Sequence, residues 1–120
     1  MNTKASTALT MAFQGKWRIV EMDLWDMDAI NLVGSAFAEI TGDEGEMRFI
    51  DVSAWLDIRY DTRDGMPIAE FSWEGVDAGD PRSGRGWFMQ GTSERLVGHF
   101  FFHDGDDSGF ACEPLVNRLG

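Results

Sequence analysis

The sequence predicts an all-β fold: an antiparallel up-and-down (meander) barrel of about eight strands, with one short helix between strands 1 and 2. Two observations support this prediction. Short β-favouring runs recur at a spacing of roughly ten residues, and turns rich in glycine and aspartate separate them. Because most of these turns can join neighbouring strands as hairpins, a meander is favoured over a Greek key. Closing the meander removes both exposed sheet edges.

The strands are predicted from β-favouring runs that end at turn-forming residues. They cover residues 15–22, 34–41, 46–53, 55–60, 67–74, 85–90, 95–103 and 109–113. Glycine, aspartate, serine and threonine, which tight turns favour, fill the connections at 42–45, 63–65, 91–94 and 104–107.

Two connections break this rhythm. Residues 23–32 place Trp25, Ala29 and Leu32 on one helical face, which predicts a short helix across one mouth of the barrel, called the lid below. Residues 75–86 are polar and rich in glycine, so we expect a mobile surface loop there.

The 120 residues fit one domain, and 43% of them are hydrophobic, which is enough to fill one core. We expect residues 13–120 to form a single β-barrel domain. Residues 1–12 are rich in threonine, alanine and serine and match no element, so we expect them to be disordered. No repeat and no domain linker is visible.

The charge balance excludes several classes of partner. Ten basic and 21 acidic residues give a net charge of −11. Such a surface repels phosphate backbones and anionic lipid headgroups, so nucleic-acid and membrane binding are not expected. The same charge attracts cations or a basic partner. Acidic side chains also keep a small protein soluble.

The sequence favours a cytoplasmic location. Cys112 is the single cysteine, so no intrachain disulfide can form and a disulfide-stabilised secreted scaffold is not expected. The first residues contain no apolar run long enough for a signal-peptide core, and no stretch is long and apolar enough to span a bilayer.

The segment Phe13-Gln14-Gly15-Lys16-Trp17 resembles the GxW entrance to a lipocalin-type (calycin) barrel. The resemblance implies that the glycine lets backbone approach the barrel floor and that Trp17 closes that end from inside. A basic residue near the C-terminus often packs over the tryptophan in that family, and Arg118 is the late candidate here. Without a signal sequence or disulfides, the chain is closest in type to the intracellular members or to small bacterial barrels.

A ligand, if one is bound, is expected in the barrel or at its mouth. Side chains alternate between faces along a strand, and aromatic residues occur on both faces, so periodicity leaves two interpretations open. In the first, the polar residues of the strands face solvent and pair across strands. In the second, they line a polar interior that binds one small molecule. The candidate ligand-binding residues are Glu21, Trp25, Asp57, Arg59, Glu70 and His99.

Metal, cofactor and catalytic signals are weak. The acidic groups at 23–28 and 103–108 offer oxygen ligands, but counting Asp104 as the first position of a calcium loop places Leu115 where the twelfth-position glutamate belongs. Turn chemistry accounts for both groups, so we predict no metal and no cofactor. There is no GxSxG around Ser108 and no phosphate-binding glycine loop. A lone cysteine on an apolar strand is more typical of a core than of a nucleophile.

Three functions therefore compete. The first is a small acidic barrel that binds a small molecule in or at its mouth, gated by the lid. The second is a protein interaction module with a packed interior, whose partner docks on the lid or on the loop at 75–86. The third is a small enzyme that uses His99 or His103 with carboxylates. A homo-oligomer is compatible with all three. A packed interior with an exposed apolar patch would favour the second.

Overall fold

Strand pairing follows chain order through residues 10–115, the part of the chain that the computed structural model describes. The strands are β1 (Gly15–Met22), β2 (Phe37–Thr41), β3 (Glu44–Phe49), β4 (Val52–Arg63), β5 (Met66–Asp77), β6 (Asp80–Gln90), β7 (Leu96–Phe102) and β8 (Asp107–Pro114). One short helix, α1 (Met27–Ile30), lies between β1 and β2. Each strand pairs antiparallel with the next, and β8 pairs with β1 to close the barrel. The predicted fold class is confirmed.

Alternation along the strands separates a buried inner face from an outer wall. In β4, Leu56 and Ile58 are buried whereas Trp55, Asp57 and Arg59 are exposed. Alternate residues of β5 and β7 are buried in the same way: Ala69, Phe71, Trp73, Leu96, Gly98, Phe100 and Phe102. Ile68 is an exception to the alternation, since it directly precedes Ala69 and both are buried.

The predicted mobile loop at 75–86 is wrong. β5 and β6 continue through it as one long hairpin, and the reversal takes only Ala78 and Gly79, both in the left-handed region at φ 52° and 88°. The Asp64-Gly65 turn between β4 and β5 has the same pattern at φ 54° and 79°. Type I′ turns favour Asn-Gly or Asp-Gly. Because Ala78 occupies the first turn position between β5 and β6, this turn lacks the usual sequence signal.

Other boundaries also shift. The predicted strand at 46–53 is divided by a tight turn at Ile50 and Asp51, so that Phe49 pairs with Val52. The predicted helix at 23–32 contracts to four residues, capped by Asp26, whose Oδ1 accepts from the Ala29 backbone N–H at 3.0 Å. Helix boundaries are weakly specified by periodicity over so short a segment.

The GxW segment forms the start of β1, with Gly15 at φ 115°. A Cβ placed on Gly15 would meet no atom within 4 Å, so its conformation, rather than a close backbone approach, requires glycine. Trp17 is only 7% exposed. Residues 1–9 of the segment predicted to be disordered, and Arg118, lie outside the described residues.

Candidate functional site

Five of the six predicted ligand-binding residues lie on the outer wall of the barrel. Glu21, Asp57 and Arg59 are exposed, and Glu70 and His99 are half-buried. Cross-strand register places Arg59 beside Glu70, and Trp87 lies between Glu70 and His99. These four positions form one row across β4, β5, β6 and β7, whereas Glu21 lies on β1.

Charged partners on the same wall already hold several of these side chains. Arg59 is 3.8 Å from Asp57, and Arg63 is 2.8 Å from Glu70. His99 Nε2 lies 2.5 Å from Asp107. This arrangement matches the first interpretation of the sequence, in which the polar residues of the strands face solvent and pair with one another.

Aromatic side chains fill the inside of the barrel. Phe49 and Trp73 pack against Phe100 at ring-centroid distances of 4.9 and 4.7 Å. Inward-facing glycines make room for such rings: a Cβ on Gly86 would lie 2.4 Å from the ring of Phe71. Large and small residues on facing strands thus interdigitate, and the described interior is a packed core.

The end of the barrel near the GxW segment is plugged by Phe13 and Trp17. Phe13 is fully buried, and its carbonyl accepts a 3.0 Å hydrogen bond from the Trp17 indole Nε1. Tyr60 packs against Phe13 with ring centroids 5.9 Å apart, and its hydroxyl donates to the Gly42 carbonyl.

The opposite end is covered by the segment that contains α1. Ile30 is buried, and its carbonyl accepts from the Ile50 N–H at 2.7 Å. Trp25, the sixth predicted ligand-binding residue, is half-buried and packs against Phe49 at 6.1 Å. The lid is therefore anchored on the core through both side chains and backbone.

Ser108 fastens the start of this segment to β8. Among the described residues, Ser108 is the one polar residue that is buried, with 2% of its surface exposed. Its Oγ accepts hydrogen bonds from the backbone N–H groups of Asp23 and Leu24 at 3.0 and 3.3 Å. Its hydroxyl donates to the Gly109 carbonyl at 2.8 Å. All of its hydrogen bonds are thus with backbone groups, which accounts for its burial without a catalytic role.

The outer side of the lid carries an apolar patch. Four large apolar side chains in ten residues are exposed by 42% to 70%, and we call them the helix-end surface: Leu24, Met27, Leu32 and Val33. Single exposed apolar residues are common, but several in one short segment are a feature of interaction sites. Of this segment only Trp25 is among the predicted ligand-binding residues. Apolar residues on more than one helical face are the sequence signal that could have indicated exposure of the others.

The charges around the helix-end surface are acidic. Between Glu21 and Asp28 the sequence contains four carboxylates, Glu21, Asp23, Asp26 and Asp28, and no lysine, arginine or histidine. Asp23, Asp26 and Asp28 are all exposed next to the apolar residues. Asp51 follows Ile50, which is hydrogen-bonded to the end of α1. The charged groups directly beside the exposed apolar residues of the lid are therefore carboxylates.

A groove borders the helix-end surface. It has a volume of about 230 Å³ and lies between the residues that follow the lid and the β3–β4 turn. Val33 and Phe37 line one side, Ile50 and Val52 line the other, and Arg48 and Asp51 each add one charged group. The groove extends the apolar patch towards the barrel wall, which is the form that a docking site for a partner side chain takes.

The other chemistry-bearing residues are dispersed. Burial raises the pKa of the Cys112 thiol to about 12, so it stays protonated and unreactive at neutral pH. His103 is exposed and lies 3.5 Å from Asp104. Among residues 10–115, no three His, Cys, Asp or Glu side chains are grouped closely enough to hold a metal ion. No helix in this part of the chain has the length and apolar character needed to cross a bilayer.

Comparisons with protein-family models, with curated proteins and with solved structures give no match to this chain. The geometry of the described residues is thus the basis for assigning a function. It establishes an eight-stranded antiparallel barrel, an architecture consistent with a lipocalin-type fold.

Proposed function

We propose that this protein is an interaction module whose packed barrel presents the helix-end surface to a partner. The partner segment is basic and partly apolar, as in an amphipathic helix with lysine or arginine beside leucine. The observation that carries this proposal is the exposure of Leu24, Met27, Leu32 and Val33 within one acidic stretch. Apolar contact supplies affinity, and charge complementarity supplies orientation and a faster encounter.

Binding of a small molecule inside the barrel receives less support. Aromatic side chains occupy the interior, and Phe13 with Trp17 at one end and Ile30 with Trp25 at the other fill the mouths. A ligand of the usual size would have to displace several of these buried side chains.

We also propose that the barrel is a short lipocalin-type barrel whose interior is a packed core instead of a ligand cavity. Gly15 and Trp17 at the start of β1, together with the chain-order closure of eight strands, support this relationship. Crystallography of the protein purified without ligand stripping tests whether the interior is packed. An interior filled only by side chains is expected, and ligand density inside the barrel would contradict it.

Calorimetric titration with a synthetic amphipathic helix of leucine and lysine tests the interaction module. The double variant Leu32→Ser, Val33→Ser should bind at least about tenfold more weakly, because it removes two exposed apolar contacts. Val97→Ser is the matched control, since Val97 is an exposed valine on β7 and should leave affinity unchanged.

The charge contribution has its own control. The same peptide with glutamate in place of lysine should not bind, and raising the salt concentration should weaken the lysine peptide. Equal binding of both peptides, or an equal effect of the two serine variants, would contradict the proposal. A concentration-dependent mass that the double variant abolishes would instead identify a second copy of the chain as the occupant.

A further inference from the structure

The outer wall contains a second concave feature, distant in sequence from the lid. A depression of about 360 Å³ lies on strands β4, β5, β6 and β7. Arg85, Trp87 and Phe101 line it from β6 and β7, the ion pair of Arg63 and Glu70 lines it from β4 and β5, and buried Phe71 forms its floor. Its volume falls in the range of small-ligand pockets, roughly 300 to 1,000 Å³.

Three neighbouring rings pack against one another on this part of the wall. The imidazole of His99 lies parallel to the indole of Trp87, with an interplanar angle of 24° and centroids 6.4 Å apart. The same imidazole contacts Phe101 at 4.6 Å, and Asp107 holds its Nε2. Because His99 is fixed between two aromatic residues, the faces that border the depression are set before a ligand arrives.

Arg85 differs from the other charged residues of this wall because its neighbours are already paired. Its guanidinium lies over the ring of Phe101 at 5.2 Å. Of the two nearby carboxylates, Glu70 pairs with Arg63 and Asp107 pairs with His99. No carboxylate within residues 10–115 forms an ion pair with Arg85, although the chain has 21 acidic residues.

We propose that this depression binds a small planar aromatic carboxylate. The carboxylate of the ligand pairs with the guanidinium of Arg85, whose planar fork suits bidentate contact. The aromatic ring of the ligand packs against Trp87 and Phe101. A net charge of −11 disfavours ligands with several negative charges, so a monoanion fits best. This site is independent of the helix-end surface, and either can exist without the other.

An NMR titration of the full chain with indole-3-carboxylate tests the site. Binding in the millimolar range or tighter is expected, with the indole Nε1–H signal of Trp87 shifting more than that of Trp17 at the barrel floor. Arg85→Gln should weaken binding at least about tenfold, since it removes a charge-assisted hydrogen bond at an exposed position. The neutral analogue indole-3-methanol should bind more weakly than the carboxylate by a similar factor.

Arg59→Gln provides the matched control because Arg59 is an exposed arginine on β4, the strand paired with β5, and its partner there is Asp57. It should leave the affinity unchanged. The site is refuted if indole-3-carboxylate leaves the Trp87 signal unshifted, if indole-3-methanol binds equally well, or if Arg59→Gln weakens binding as much as Arg85→Gln. An unchanged amide spectrum away from the substituted residue and the strands paired with it verifies that each variant is folded.

Discussion

Ser108 and Asp23 are joined across the lid end of the barrel, where the Ser108 Oγ accepts from the Asp23 backbone N–H at 3.0 Å. The two residues are 85 positions apart in the chain, and the contact fixes where the chain leaves β1. Because Ser108 is buried, losing its hydroxyl removes the acceptor of the Leu24 N–H, whereas the Asp23 N–H also donates to the Gly109 carbonyl at 3.0 Å.

Ser108→Ala should therefore destabilise the protein by about 1 to 3 kcal/mol. Chemical denaturation measures this cost, and hydrogen exchange should accelerate more at Leu24 than at Asp23, which keeps its bond to the Gly109 carbonyl. Ser72→Ala is the control, since Ser72 is exposed on β5 and should change stability by less than about 0.5 kcal/mol. Equal effects of the two substitutions would show that Ser108 does not anchor the lid.

Trp17→Ala should cost about 3 to 5 kcal/mol, the usual range for truncating a large buried aromatic residue. Trp17 is buried, and its indole N–H is satisfied by the Phe13 carbonyl. Trp55 gives the comparison because it is 53% exposed on the outer wall, so Trp55→Ala should cost less than about 1 kcal/mol. A loss below about 1 kcal/mol for Trp17→Ala would contradict the assignment of Trp17 as a plug at that end of the barrel.

Ala78→Asn should stabilise the fold by a few tenths to about 1 kcal/mol. Ala78 has φ 52°, where alanine is strained and asparagine is tolerated. Asparagine also keeps the backbone N–H that donates to the Asp51 carbonyl at 3.0 Å. Ala78→Val should have the opposite sign, because branching at Cβ makes the left-handed conformation more costly. Thermal or urea unfolding of both variants decides the matter.

Cys112 should make stability fall at high pH. Burial raises the pKa of its thiol from 9.0 to about 12, so above pH 9 the thiol ionises in the unfolded chain but not in the folded one. This contribution to stability is complete below pH 9 and is lost progressively as the pH rises towards 12. Between pH 8 and pH 10 the loss is about 1 kcal/mol.

Denaturation of the wild type and of Cys112→Ala at both pH values isolates this effect. The alanine variant is less stable at pH 8 because of the cavity, but it should lose about 1 kcal/mol less on going to pH 10. Parallel losses in the two proteins would mean that Cys112 ionises in the folded state, which its burial opposes.

Much of the barrel could be predicted because alternation is a local signal. Leu56 and Ile58 alternate with Asp57 and Arg59, and this pattern identifies the core face of β4 without tertiary information. The β5–β6 hairpin could not be predicted in the same way. Its inward positions include Gly84 and Gly86, which are indistinguishable from loop residues until the rings that fill their space are known.

The candidate surfaces were less predictable than the fold. Exposure of Leu32 and Val33 depends on how four helical residues lie on the barrel end, which short-range periodicity does not determine. Arg85 lies where the loop expected at 75–86 overlaps the strand predicted at 85–90. Its position over the ring of Phe101 depends on the register between β6 and β7, which has no sequence signal. Glu70 and His99 are among the predicted ligand-binding residues. Their ion-pair partners, Arg63 and Asp107, depend on cross-strand and turn geometry, which a single sequence does not reveal.

The central claim is that the packed barrel uses the helix-end surface to bind a partner. The most direct test maps amide shifts in the isotope-labelled protein during titration with the leucine–lysine helix. We expect the largest shifts at residues 23–35 and 50–53, and we expect the indole signals of buried Trp17 and Trp73 to stay unmoved. Shifts confined to those two indoles and the inward strand positions would contradict it, because they would place the ligand inside the barrel.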